Sequence, residues 1–360
     1  MKYLAALAGL ALTTGMVQAG GIDRSTLPFS VLFEDGRVIQ LGFSNVTPKV
    51  SGVAGGVVST GDMAQSFTSL SVAYKADLTD KLSYAIILNQ PYGADALYGS
   101  VYAGLEAHWD TEQLTALIKY QATDRFSVYG GLKYVRSSAD ILIPPVLLGP
   151  AGTYTASADT DGQVGYVLGM AYEIPDIALR VGLSYESEIT HSFGTTERFS
   201  VLNAGTTLNS TTDIVLPQTV TLDFQTGVAE DTLVFGSVRW SEWSKYHVGP
   251  SYFEAVTGGE VTGYDDDVVT YELGLGRKIN DSLSLFARIG YERTVGDVAS
   301  RLSPTDGSRS FGIGGSFTKD NMKITGGVEY VELGDAIDAS GVRFTDNKAV
   351  GVGISVQFSF

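Results

Sequence analysis

Few residues stand in arrangements that do chemistry. The chain has no cysteine, which removes thiol catalysis, cysteine-bound zinc and disulfides together. Its three histidines, His108, His191 and His247, form no His-Glu-x-x-His or other metal-ligand spacing. A serine hydrolase needs a serine and a histidine in hydrogen-bond reach. Ser187 and His191 share strand parity, but four residues along one strand separate them by about 13 Å. An exposed polar histidine is the better reading. Asp265, Asp266 and Asp267 are able to hold a divalent cation that bridges lipopolysaccharide, yet without an EF-hand-like frame they read as a solvated loop. No catalytic residue, metal or cofactor is expected. The formal charge of −16 excludes nucleic acid as a partner, because a duplex binder needs a basic face.

The elements that would position any site are strands. Of the 360 residues, 43 are glycine and 19 tyrosine, with only 10 prolines, a composition that suits extended chain. In the last segment Val350, Val352, Ile354, Val356, Phe358 and Phe360 share one face. Ala349, Gly351, Gly353, Ser355, Gln357 and Ser359 share the other. The same period of two runs through Ile177–Glu186, Val220–Gln225 and Leu283–Glu292. A soluble sandwich also alternates. Three features favour a transmembrane barrel instead: polar faces of small and charged residues that suit a lumen, aromatics near strand ends, and a final strand ending in Phe. The aromatics are Tyr84, Tyr120, Tyr134, Tyr172, Trp240, Trp243 and Tyr330. Phe358 and Phe360 are read as the signal for the barrel-assembly machinery.

Before the strands lies an export leader. Met1-Lys2, the apolar run Leu4 to Leu12 and Val17-Gln18-Ala19 form a signal peptide over residues 1–19, with the mature chain beginning at Gly20. No later stretch approaches the roughly 20 apolar residues of a spanning helix. Short connections at 76–81, 122–125, 174–176, 229–232, 279–282 and 318–321 carry Asp, Asn or Pro. Longer polar ones lie around 51–65, 94–106, 138–158, 187–214, 247–266, 296–308 and 334–346. The count gives an all-β, antiparallel barrel of fourteen strands over residues 36–360. Short turns then face the periplasm and long loops face outward. Outer-membrane lipid and lipopolysaccharide are the surroundings this implies.

Between leader and barrel, residues 20–35 contain Leu27, Phe29, Val31, Leu32 and Phe33. Pro28 and the lack of alternation argue against a strand, so the segment is expected to tuck into the lumen as a plug. By alternation Lys133, Arg180, Arg239 and Arg288 point inward. Each is able to meet the carboxylate of a fatty acid, although pairing with lumen carboxylates such as Glu186 and Glu292 is the commoner fate of such residues.

Several pieces resemble the FadL/TodX family of outer-membrane transporters for hydrophobic compounds. Ile87-Leu88-Asn89-Gln90-Pro91-Tyr92-Gly93 is similar to the end of that family's third strand. Leu216-Pro217-Gln218-Thr219 and Val238-Arg239-Trp240-Ser241-Glu242-Trp243-Ser244 resemble its eighth and ninth strands. Ser303 to Arg309, leading into Phe311-Gly312-Ile313-Gly314, resembles the start of its twelfth. The resemblance covers about residues 36–360. It implies passive uptake of long-chain fatty acids or other hydrophobic small molecules. Capture would occur at the outer loops, and lateral release through a gap near strand three at Asn89, Pro91 and Gly93. Pro91 supplies no ladder donor, and Gly93 tolerates a bend. The family's hatch is shortened here to less than half its usual length and lacks the Asn-Pro-Ala-type motif. A general or anion-selective diffusion porin is the alternative function.

Overall fold

The computed structural model describes residues 22–25, 29–296 and 298–360. The leader read over residues 1–19, and Leu27 and Pro28 of the following segment, lie outside these. Fourteen antiparallel spans form one closed barrel. They are β1 (Val38–Lys49), β2 (Phe67–Thr79), β3 (Leu82–Asn89, resuming as Gly93–Leu97), β4 (Glu106–Gln121) and β5 (Phe126–Ile143). Next come β6 (Tyr154–Ile174), β7 (Leu179–Glu186 and Ile189–Phe199), β8 (Leu208–Leu216 and Thr219–Ala229) and β9 (Thr232–Ser241). The last are β10 (Val268–Lys278), β11 (Leu283–Glu292), β12 (Ser308–Lys319), β13 (Met322–Leu333) and β14 (Asn347–Ser359). β14 pairs back onto β1 from Val38 opposite Ser359 to Lys49 opposite Lys348, so the sheet has no free edge.

Alternation is turned inside out relative to a soluble protein. Leu70, Leu132 and Val164 are each about 60% exposed on the outer face, where lipid replaces water. Ser69, Thr115, Ser127, Ser184 and Thr325 are buried on the inner face. The periplasmic turns are tight because Asp231 and Asp320 both accept a φ of 54°, a left-handed conformation that Asp tolerates better than most residues.

Two expectations need correction. The connections placed at 138–158 and 187–214 are mostly strand: β5 runs to Ile143, β6 starts at Tyr154, and β7 and β8 extend to Phe199 and from Leu208. Their outer faces carry Thr, Ser and Asp at these heights, so the apolar half of the alternation points only inward. Trp243, grouped with the interfacial aromatics, is fully buried and packs against Tyr92, Tyr246 and Tyr264 inside the barrel.

Outside the membrane band the loops fold over the mouth. They carry the short helices α1 (Pro145–Leu148) and α2 (Ser251–Thr257) and a five-stranded patch drawn from three loops. Glu197, at the top of β7 and fully buried, accepts the Tyr252 and Phe253 backbone N–H groups and the Tyr154 hydroxyl. That ties α2 down into the mouth.

Candidate functional site

At the periplasmic end, Phe29–Phe33 forms a 3-10 turn inside the barrel. Val31 and Leu32 are 1% and 0% exposed and pack on the inner faces of β1–β6 through Val38, Ala73, Ala85, Ile87, Leu117, Tyr129 and Val167. Phe33 lies between two cations, 4.8 Å from Lys119 and 4.6 Å from Arg180. Gln357 on β14 donates to Glu34 at 3.0 Å. The small inner face of the last strand therefore looks onto this segment.

Higher up, the wall between β2 and β3 opens. Their pairing ends at Val72 opposite Leu88 and resumes in the same register at Ala64 opposite Ala96. Between these points Pro91 offers no N–H, and β3 is interrupted from Gln90 to Tyr92. The chain's own N-terminal residues fill the slit. Gly93 N–H donates to Ile22 O at 2.9 Å, and Arg24 N–H donates to Pro91 O at 2.7 Å. Asp23 bridges Tyr92 antiparallel. Ser25 Oγ donates to Gln90 O, and the buried Asn89 donates to Ser25 Oγ at 3.1 Å. Asn89, Pro91 and Gly93 thus sit together at the slit, all in contact with residues 22–25.

The lumen beside the slit is aromatic. Tyr92 stacks on Trp109 with ring centroids 6.2 Å apart and planes at 2°, and Trp243 meets Tyr92 edge-on at 5.6 Å. Tyr246 packs on Trp109 at 5.4 Å, and Tyr264 on Trp243 at 5.6 Å. Burial pushes the Tyr246 and Tyr264 phenols well above their usual range, so both stay neutral. A cavity of about 90 Å³ lies here, lined by Ile22, Trp109, Ile214, Tyr246, Tyr264 and Leu302 among others, with no Lys or Arg. A larger groove of about 800 Å³ opens under the outer loops, lined by Leu105, Leu147, Leu148 and Phe253. Ile141, Val261, Thr262 and Leu302 line both, so groove and cavity adjoin.

The four lumen cations are buried and engaged. Lys133 Nζ is 3.5 Å from Glu186. Arg239 pairs with Asp23 at 2.8 Å. Arg288 pairs with Glu272 at 3.1 Å and also with Glu329. Arg180 caps the Phe33 ring. None of the four lines the cavity. His191, read as exposed, is instead fully buried, its Nδ1 2.8 Å from Asp161 where β6 and β7 part. Phe358 and Phe360 close β14 on its outer side, and Phe360 N–H donates to Arg37 O. Trp109, Tyr246, Tyr264 and the stretch Ile22–Arg24 were not singled out from sequence. Trp109 carried a signal, since alternation with Thr111 and Gln113 puts it on the inner face of β4. Asp23-Arg24, an adjacent pair of opposite charges ahead of the apolar run Leu27 to Phe33, was another.

The barrel matches solved structures over nearly its full length. With the crystal structure of a Pseudomonas aeruginosa FadL homologue the TM-score is 0.74 at 14% identity, covering 92% of each chain. With the P. putida toluene transporter TodX it is 0.69 at 16% identity, covering 93% of each. With the Ralstonia pickettii toluene transporter TbuX it is 0.65 at 15% identity, covering 91% of this chain and 90% of that one. At such identities the likeness speaks for the fold alone. Among curated proteins none matches the chain. The sequence profile described as outer membrane protein transport protein (OMPP1/FadL/TodX) matches residues 30–360. The chain therefore belongs to the OMPP1/FadL/TodX family of outer-membrane transport proteins, which are channels for hydrophobic compounds and not enzymes.

Proposed function

We propose that the chain admits compact, uncharged hydrophobic molecules, taking them from the outer groove to the aromatic cavity and releasing them sideways into the membrane at the β3 slit. One observation carries this reading. Ile22 lines the cavity and also accepts the Gly93 hydrogen bond that closes the slit, so cavity and slit share one wall. Moving that wall joins the cavity to the lipid. A greasy cargo gains by leaving directly into hydrocarbon and never crossing water.

Cargo charge follows from the lining. Aromatic and aliphatic faces without a Lys or Arg suit a neutral ring or short chain, whereas a carboxylate there would lose its water with only His108, already paired with Asp95 and Asp110, as a cation nearby. A long-chain fatty acid is the second reading. The observation in its favour is Arg301 on the rim of the outer groove, paired with Asp338 at 3.3 Å but partly exposed, where a carboxylate headgroup could stay while the tail enters. The toluene transporters among the structural neighbours make a monoaromatic hydrocarbon the first cargo to test. Labelled toluene and a labelled long-chain fatty acid are offered to cells with and without the gene, alongside conductance of the purified protein in planar bilayers. Faster toluene entry with small, intermittent conductance is expected. Large steady conductance with no difference in either uptake would overturn the reading in favour of a diffusion porin.

A further inference from the structure

Asp23 and Arg24 leave the N-terminal segment on opposite sides of the wall. Asp23 turns into the lumen to Arg239. Arg24 goes the other way. On β4, Trp109 is buried in the lumen stack, so its neighbours His108 and Asp110 project from the outer face. Across the β3–β4 register, Asp95 lies opposite His108 and Gly93 opposite Asp110. The Arg24 guanidinium lies against Gly93, where a Cβ would collide with it. There it pairs with Asp95 and reaches Asp110 at 3.3 Å. Its Cζ also sits 4.7 Å from the centre of the Phe67 ring on β2.

These contacts touch both lips of the slit. Phe67 belongs to one side, and Gly93, Asp95 and Asp110 belong to the other. The Arg24 side chain is 8% exposed, while Asp110 and His108 are about half open on the outer surface. His108 binds the same two carboxylates from above, with Nε2 2.7 Å from Asp110. The positive charge of the closing segment is thus held by carboxylates on the exterior of the barrel, while its negative charge, Asp23, is held in the lumen.

We propose that Arg24 is the latch of the lateral opening, and that Asp95 and Asp110 on the outer face are its keeper. The slit then opens when this ion pair parts and residues 22–25 withdraw inward. The inference rests on the lateral-release reading, and the test separates the two. Because the chain has no cysteine, Ser25→Cys gives a single thiol at the closed slit. Its labelling rate by a soluble maleimide, measured on the folded barrel in detergent, reads the opening. Arg24→Gln is expected to raise that rate roughly tenfold or more, as loss of a charge-assisted contact implies. The double change Asp95→Asn, Asp110→Asn tests the same contact from the barrel side, and Arg24→Lys should fall between. Parent-like labelling in Arg24→Gln or in the double variant, in protein that keeps the heat-modifiable folded band, overturns the latch. In the second arm, Ser25→Cys with Asn89→Cys is oxidised to pin the segment to β3. Uptake should stop and return on reduction. Normal uptake by the pinned protein would defeat lateral release at this slit, while the labelling rates would still judge the latch.

Discussion

Truncating Leu32 to alanine removes a side chain that is 0% exposed and wedged among Val38, Ala73, Ile87 and Leu117. Large-to-small changes of this kind cost about 2–5 kcal/mol when the site cannot collapse. Here the surrounding wall is a closed ladder of hydrogen-bonded strands, which resists moving inward to fill the hole. The loss falls on the seating of this segment, because Phe29–Phe33 is a 3-10 turn that pairs with no strand. About 3 kcal/mol is about a hundredfold in the ratio of displaced to seated segment. Planar-bilayer recording reads this directly: Leu32→Ala should show openings far more often than the parent protein. Leu132→Ala, on the lipid face and 62% exposed, serves as the control and should not. If Leu32→Ala opens no more often than the parent, residues 29–33 do not close the lumen, and the packing argument fails.

Other expectations follow from the same contacts. Arg288→Leu leaves Glu272 and Glu329 facing each other in the wall without their shared cation, so unfolding in urea should occur at lower free energy by about 3–5 kcal/mol. Trp109→Ala removes the ring that stacks on Tyr92 and Tyr246 and the indole bond to Ser137, and should cut uptake of a neutral aromatic by about tenfold or more while leaving barrel assembly intact by gel mobility. Lys133→Met breaks the pair with Glu186 but leaves the cavity lining unchanged, so it should not alter the preference between toluene and a fatty acid in competition uptake. Deleting Phe360 removes an outward apolar terminus and its hydrogen bond to Arg37, and should lower the amount of protein assembled in the outer membrane on quantitative blotting.

How far the sequence could be read depended on whether a residue's surroundings were set by its own strand. The inward turn of Lys133, Arg180, Arg239 and Arg288 needed only parity within one span, and all four are buried. The short turns were legible for the same local reason, since Asp231 and Asp320 bring their preferred backbone with them. β7 was read too short because its upper half leaves the membrane. From Ile189 to Phe199 the inner face keeps Ile189, Phe193 and Phe199, but the outer face turns to Thr, Ser and Arg, so the alternation looks like a polar loop. Trp243 misled for a related reason: a tryptophan just past a strand can anchor at the interface or fold inward, and only the chain that follows decides.

The closing of the wall belonged to neither class. That Pro91 would break the ladder could be argued from its missing donor. What fills the break is supplied by Ile22, Asp23 and Arg24, from the far end of the chain, and they have no periodicity to announce it. Asp23 finds Arg239 at a separation of 216 residues, and Arg24 finds Asp95 at 71. Neither partner is meaningful until β3, β4 and β9 stand in one wall. The segment can therefore dock only on a barrel whose sheet is already formed, and loop closure over such distances adds little cost once that sheet exists. A strand that must be complete before the fold exists is written in its own alternation. A segment that arrives afterwards is written as a few charges placed for partners elsewhere. Asp23 and Arg24 are such a pair: the first fixes the segment to the lumen wall, and the second spans the slit to the outer face.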